Sequence, residues 1–169
     1  SLHHHGPLSV FSHDAHFSHL LFFYMERIDF MPYLKTYDLF ISHAWKYVDE
    51  YDRFITLLDA APNFTYRNYS APPDKPLSFT GRINKGVLAE KLANKIRPVN
   101  AFIMLSGMYY NYHEWMQVEL DLAKEYNKPI VAVAPWGSQQ MPSDIYNIAD
   151  VRVRWNTNSI ISAIRNYSI

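Results

Sequence analysis

Two short stretches limit what this chain can fold into more than any other feature: residues 101–105 (AFIML) and 129–134 (PIVAVA) are continuously apolar. A strand with one face in water alternates apolar and polar residues, so an unbroken apolar run this short is expected of a strand covered on both faces, as in a parallel sheet. Parallel neighbours need a crossover connection, and residues 112–127, between the two runs, carry the helical period that such a crossover requires.

The same alternation extends in both directions. Residues 37–42 (YDLFIS) form a β-rich run, and residues 47–60 follow with Val48, Tyr51, Phe54, Ile55 and Leu58 at helical spacing. Residues 64–66 read as a second short strand. Residues 68–78 (NYSAPPDKPLS) carry Pro72, Pro73 and Pro76 and read as a long irregular loop. Residues 83–96 predict a helix with Val87, Leu88, Leu92 and Ile96 inward and Lys85, Glu90, Lys91 and Lys95 outward, closed by Pro98. Beyond 134 come a loop with a helical turn (135–148), a short alternating strand (151–155) and a last helix (159–167). The expected fold is α/β: an open, mostly parallel five-stranded sheet with helices on both faces, in flavodoxin-like strand order. Such sheets bind ligands beyond the carboxyl ends of their strands, where strand order reverses. That crevice is expected between residues 42–46 and residues 106–113.

Composition narrows the function classes. With 169 residues and 49% hydrophobic content the chain suits one packed domain. Its 16 basic residues balance its 16 acidic ones, so there is no electrostatic footprint for nucleic acid or anionic lipid. The absence of cysteine excludes disulfides, thiolate metal sites and a cysteine nucleophile, and fits a reducing cytoplasm. The longest apolar run near the start, residues 20–25, is far shorter than the roughly 20 residues that span a bilayer. It also lacks the basic segment and cleavage site of a signal peptide. His3, His4 and His5 before Gly6 and Pro7 read like a tag remnant, so residues 1–31 are set apart as tag remnant or amino-terminal extension, and residues 32–169 as the domain. His13, His16 and His19 share a helical spacing, but beside a tag they read as loose packing rather than zinc ligands, and no metal is expected.

One residue breaks the pattern. At about 100° per residue, Tyr112, Trp115, Met116, Leu122, Ala123 and Tyr126 fall within about 60° of Glu119 on the helical wheel. The other charges, Glu114, Asp121, Lys124, Glu125 and Lys128, fall on the far side. A carboxylate in a buried stripe is costly unless paired or hydrogen-bonded, and desolvation is expected to raise its pKa. Two readings follow: Glu119 caps amides or pairs with a buried cation, or it is a functional carboxylate at the ligand edge of the sheet. The neighbourhood favours the second. Ser106, Tyr109, Tyr112 and Trp115 precede it on the expected lip of the crevice, where aromatic faces suit a flat ring such as nicotinamide or adenine.

YDLFISHAW (37–45), NYS (68–70), FIMLSGMYYNYHEWMQVEL (102–120) and KPIVAVAPWG (128–137) resemble the TIR-like domains of bacterial Thoeris antiphage systems, the ThsB component. The most specific element is Ser106 at the end of the third strand, then Trp115, then Glu119 four residues later. The resemblance covers about residues 37–167 and makes Glu119 the catalytic residue. It implies cleavage of the bond between nicotinamide and ribose in NAD, as an NAD glycohydrolase or ADP-ribosyl cyclase, giving a cyclic ADP-ribose-type second messenger that switches on an effector protein. NAD is then a substrate and not a cofactor. The resemblance also implies that Ser42, His43, Ala44 and Trp45 line the nucleotide pocket, that Asn68, Tyr69 and Ser70 close over it, and that activity depends on a phage-derived trigger or on homo-oligomeric assembly. His43 has two readings, a phosphate contact or a lip histidine that only hydrogen-bonds the loop.

The competing class is a catalytically inert TIR-like interaction module in which Glu119 is a buried polar contact. A receiver-like or FMN-binding domain is disfavoured, because Ser106 stands where a phosphoacceptor aspartate is needed and the loop after the first strand has no phosphate cradle. With five glycines and no G-x-G-x-x-G, a dinucleotide-reducing enzyme is disfavoured too. The zinc protease, serine hydrolase and P-loop motifs are absent.

Overall fold

The computed structural model describes residues 35–43, 48–70, 85–137 and 140–169; for residues 48, 85, 108 and 110–115 it describes the backbone alone. The strands β1 (Thr36–Ser42), β2 (Thr65–Asn68), β3 (Ala101–Leu105), β4 (Ile130–Val133) and β5 (Val151–Val153) form one sheet. Their order is β2-β1-β3-β4-β5, and every neighbouring pair is parallel. The described helices are α1 (Val48–Asp59), α2 (Lys85–Ile96), α3 (Tyr109–Glu125) and α4 (Thr157–Tyr167). This is the α/β fold that the alternating pattern predicts.

The two apolar runs are the centre of the core. Every residue of β3 and of β4 is buried. Phe40 of β1 pairs in register with Phe102 of β3, and their rings stack at 5.4 Å. β5, at the edge, keeps the predicted alternation, with Val151 and Val153 half-buried and Arg152 exposed. On α4 the sequence places Ile160, Ile161, Ala163 and Ile164 on one buried face, and the Asn156 side chain caps the helix by accepting from the Ser159 amide at 2.8 Å. A cap of this type contributes about 1 kcal/mol.

Three expectations change. The helix predicted from residue 112 begins at Tyr109, directly after a 3₁₀ turn at Ser106–Met108. The segment 106–113 is therefore a helical entry and not an open loop, because nothing after Gly107 interrupts helix formation and the Ser106 hydroxyl anchors the turn to the Val133 carbonyl at 2.7 Å. Val87, predicted inward, is 48% exposed. The buried face of α2 is carried by Leu92, Ala93 and Ile96, with Leu88 only half-buried, so packing is confined to the second half of the helix. Asn68, expected to open the long loop, instead ends β2. The proline-bearing stretch 71–78 and His13, His16 and His19 lie outside the described residues.

Candidate functional site

β2 reaches only as far as Leu39 of β1, where Asn68 is its partner. The next position on that side of β1 is Ile41, whose backbone groups would be left without a strand partner at the carboxyl end of the sheet. Side chains complete them. The Ser70 hydroxyl accepts from the Ile41 amide at 2.9 Å, and the His43 ring, as the Nδ1–H tautomer, donates to the Ile41 carbonyl at 3.0 Å. Ser70 is held in turn by Asn68, whose Oδ1 accepts from the Ser70 amide at 2.9 Å and from its hydroxyl at 2.5 Å.

From Asn68 the network crosses to α1. Its Nδ2 donates to the Tyr51 hydroxyl at 2.7 Å, and the Tyr51 ring stacks on His43 with centroids 3.9 Å apart and planes 28° apart. Tyr51, His43 and Ser70 are all buried. Burial pushes the His43 imidazole below its ordinary value, partly opposed by the Ile41 carbonyl and the charge of Asp52. Burial likewise raises the Tyr51 phenol, partly opposed by its hydrogen bonds with Asn68 and Ser70.

One residue along from Ile41 the side chain points the other way, toward α3. Ser42, fully buried, donates its hydroxyl to Glu119 Oε2 at 2.5 Å. Glu119 is 5% exposed, on a helix face that buries Met116, Leu120, Leu122 and Ala123 while Asp121, Lys124 and Glu125 face solvent. The wheel therefore located a carboxyl that is buried, and the tertiary structure supplies it with a donor from the end of β1. The strand order reverses between β1 and β3, and this carboxyl sits at that switch point.

The predicted site residues divide into three groups. Ser42, His43, Asn68 and Ser70 gather with Glu119 around the end of β1, and Tyr69 adjoins them through its amide, which donates to the Leu39 carbonyl at 2.8 Å. Ser106 donates its hydroxyl to the Val133 carbonyl, and the buried Tyr109 donates its hydroxyl to Gln117 Oε1 at 3.1 Å. Ala44 and Trp45 lie outside the described residues, and for Tyr112 and Trp115 only the helical backbone at the start of α3 is described. No group of His, Asp or Glu among the described residues is arranged to hold a metal ion. No described helix is long and apolar enough to cross a membrane.

Three further residues act at the carboxyl edge of the sheet. Tyr51 read as ordinary core in the sequence; its hydroxyl was the available signal, since a buried phenol needs a partner. Glu50 and Gly107 carried no signal. The Glu50 carboxylate accepts from the Trp136 amide at 3.2 Å, and a Cβ on Gly107 would stand 3.0 Å from both Glu50 carboxylate oxygens and 3.1 Å from Pro135 Cβ. Glycine at 107 thus lets a carboxylate from α1 reach the turns that leave β3 and β4. Burial raises the Glu50 carboxyl above its ordinary value, partly opposed by the Trp136 amide.

The model of the TIR-like domain of Thoeris protein ThsB matches residues 40–140, more than half of the chain, from within β1 to beyond β4. No curated protein matches the chain. Among solved structures it is similar to the CMP N-glycosidase BcmB of Clostridium botulinum, at 11% identity and a TM-score of 0.40, over 77% of this chain and 98% of that one. By the family match the chain belongs to the Thoeris ThsB family, through its TIR-like domain.

Proposed function

We propose that this domain cleaves the nicotinamide–ribose bond of NAD, with Glu119 as the catalytic residue, and that an ADP-ribose-type product, linear or cyclised, is the signal to an antiphage effector protein. The observation that carries this reading is the buried Glu119 carboxyl, fixed by Ser42 at the switch point of the sheet. As nicotinamide leaves, positive charge develops on the ribose in an oxocarbenium-like transition state. A carboxylate held still in a water-poor site stabilises that charge without reorganising at the moment of reaction. Ser42 would keep the carboxyl oriented toward the ribose. The ring made by Ile41, Ser70, Asn68, Tyr51 and His43 would fix the end of β1 on which the nucleotide rests. NAD is consumed as substrate, in the cytoplasm where phage replicate, and full activity awaits a phage-derived trigger or self-association.

The test is nicotinamide release from NAD by purified protein, with and without phage-infected lysate, for wild type and Glu119→Gln. Release by the wild type that falls by at least about 100-fold in the variant, the lower end of what losing a transition-state-stabilising group costs, supports the proposal. Equal release by both, or none from the wild type in either condition, overturns it in favour of an inert interaction module.

A further inference from the structure

A concavity of about 830 Å³, lined by none of the residues of the Glu119 cluster, lies between the outer face of α1 and the turn that enters α4. Its volume lies within the roughly 300–1,000 Å³ usual for small-molecule sites. Two of the four tryptophans of the chain form a corner in its wall. Trp136 and Trp155 meet edge to face, with centroids 5.5 Å apart and planes at 80°. Trp155 is braced from behind by the buried Phe54, 5.8 Å away at 76°, whereas Trp136 is 55% exposed. A large aromatic surface on Trp136 is therefore left partly open to solvent, which folding alone does not reward.

The polar groups beside this corner indicate what suits it. Asp49 and Asp52 line the same cleft from α1. Arg53, on the same helix, lays its guanidinium over the Trp136 face at 5.1 Å from the centroid. The face of Trp136 thus already holds a planar, delocalised cation, supplied by the chain itself, and the nearby carboxylates leave the cleft with an excess of negative charge. Perpendicular aromatic walls backed by carboxylates favour organic cations, through the ring quadrupole and through direct Coulomb attraction. A phosphate or carboxylate ligand would meet Asp49 and Asp52 unfavourably.

The geometry points to a binding site for a flat, delocalised organic cation, seated on the Trp136–Trp155 corner in the place of the Arg53 guanidinium. The site shares no lining residue with the Glu119 cluster, and the inference stands whether or not Glu119 is catalytic.

Protein labelled with 5-fluorotryptophan, its resonances assigned by single Trp→Phe replacements, is titrated with 1-methylnicotinamide and separately with nicotinamide, its uncharged counterpart. The Trp136 and Trp155 resonances are expected to shift saturably with the cation, and nicotinamide to bind roughly two- to fivefold more weakly, as loss of a solvent-exposed cation–π contact implies. Arg53→Gln, which vacates the ring face and removes a like charge, should tighten binding. Asp52→Asn should weaken it, and Glu119→Gln should leave it unchanged. Trp136→Ala, a change at an exposed position, should abolish the response of Trp155. The inference is overturned if neither resonance shifts saturably, if nicotinamide binds as well as the cation, or if Arg53→Gln weakens binding.

Discussion

Ser42 at the end of β1 donates a 2.5 Å hydrogen bond to Glu119 in the third turn of α3, and so couples that strand to the carboxyl on which the proposed chemistry depends. Ser42→Ala removes that donor and leaves a buried carboxyl short of one partner. The expected loss of stability is about 1–3 kcal/mol in urea unfolding. Nicotinamide release should fall with it, because an unsecured carboxyl is no longer preorganised. Unchanged stability would show that the bond contributes nothing.

Tyr51→Phe keeps the ring on His43 but deprives the Asn68 amide of its acceptor. Stability should drop by about 1 kcal/mol. Hydrogen exchange of the Ile41 amide, two bonds further along the network, should accelerate, since Asn68 positions Ser70 and Ser70 accepts from Ile41. An unaltered exchange rate would separate Tyr51 from the β1 end.

Gly107→Ala places a methyl group 3.0 Å from the Glu50 oxygens and 3.1 Å from Pro135. Overpacking of this kind costs about 1–3 kcal/mol. The Pro135 contact is with a rigid ring, while the Glu50 contact is removable, so Glu50→Ala in the same chain should recover part of the loss. Additive effects of the two changes would mean that the two residues do not meet.

His43 predicts a pH dependence. Its folded pKa is lowered, chiefly by burial, so the folded state prefers the neutral ring. The stability this gives is present above the unfolded value of about 6.5 and is lost as pH falls from there through the folded value. His43→Phe retains an aromatic ring against Tyr51 and cannot titrate. The acid limb of Tm against pH should be shallower in the variant than in the wild type below about pH 6.5. Parallel curves would refute the assignment.

Much of this molecule is legible in its linear order. The unbroken runs at 101–105 and 129–134 specify doubly covered strands, because no polar side chain in them tolerates one wet face, and the helical spacing between them specifies the crossover that parallel strands require. The same periodicity singles out Glu119, since a wheel needs only the identities of residues a turn or two away. What sequence cannot express is who meets whom across the fold. Ser42 and Glu119 are 77 residues apart, Tyr51 and Asn68 come together only through the packing of α1 beside β2, and the groups left over at Ile41 exist only because β2 ends opposite Leu39. Periodicity records which face of an element is buried, a property of neighbours in the chain. Hydrogen bonds between elements depend on register and approach to within a few tenths of an ångström, and strand pairing and helix packing set those. Burial at 119 was therefore fixed by the sequence, whereas the Ser42 hydroxyl that holds the carboxyl, the Tyr51 ring that covers His43 and the glycine that admits Glu50 were decided by the tertiary structure.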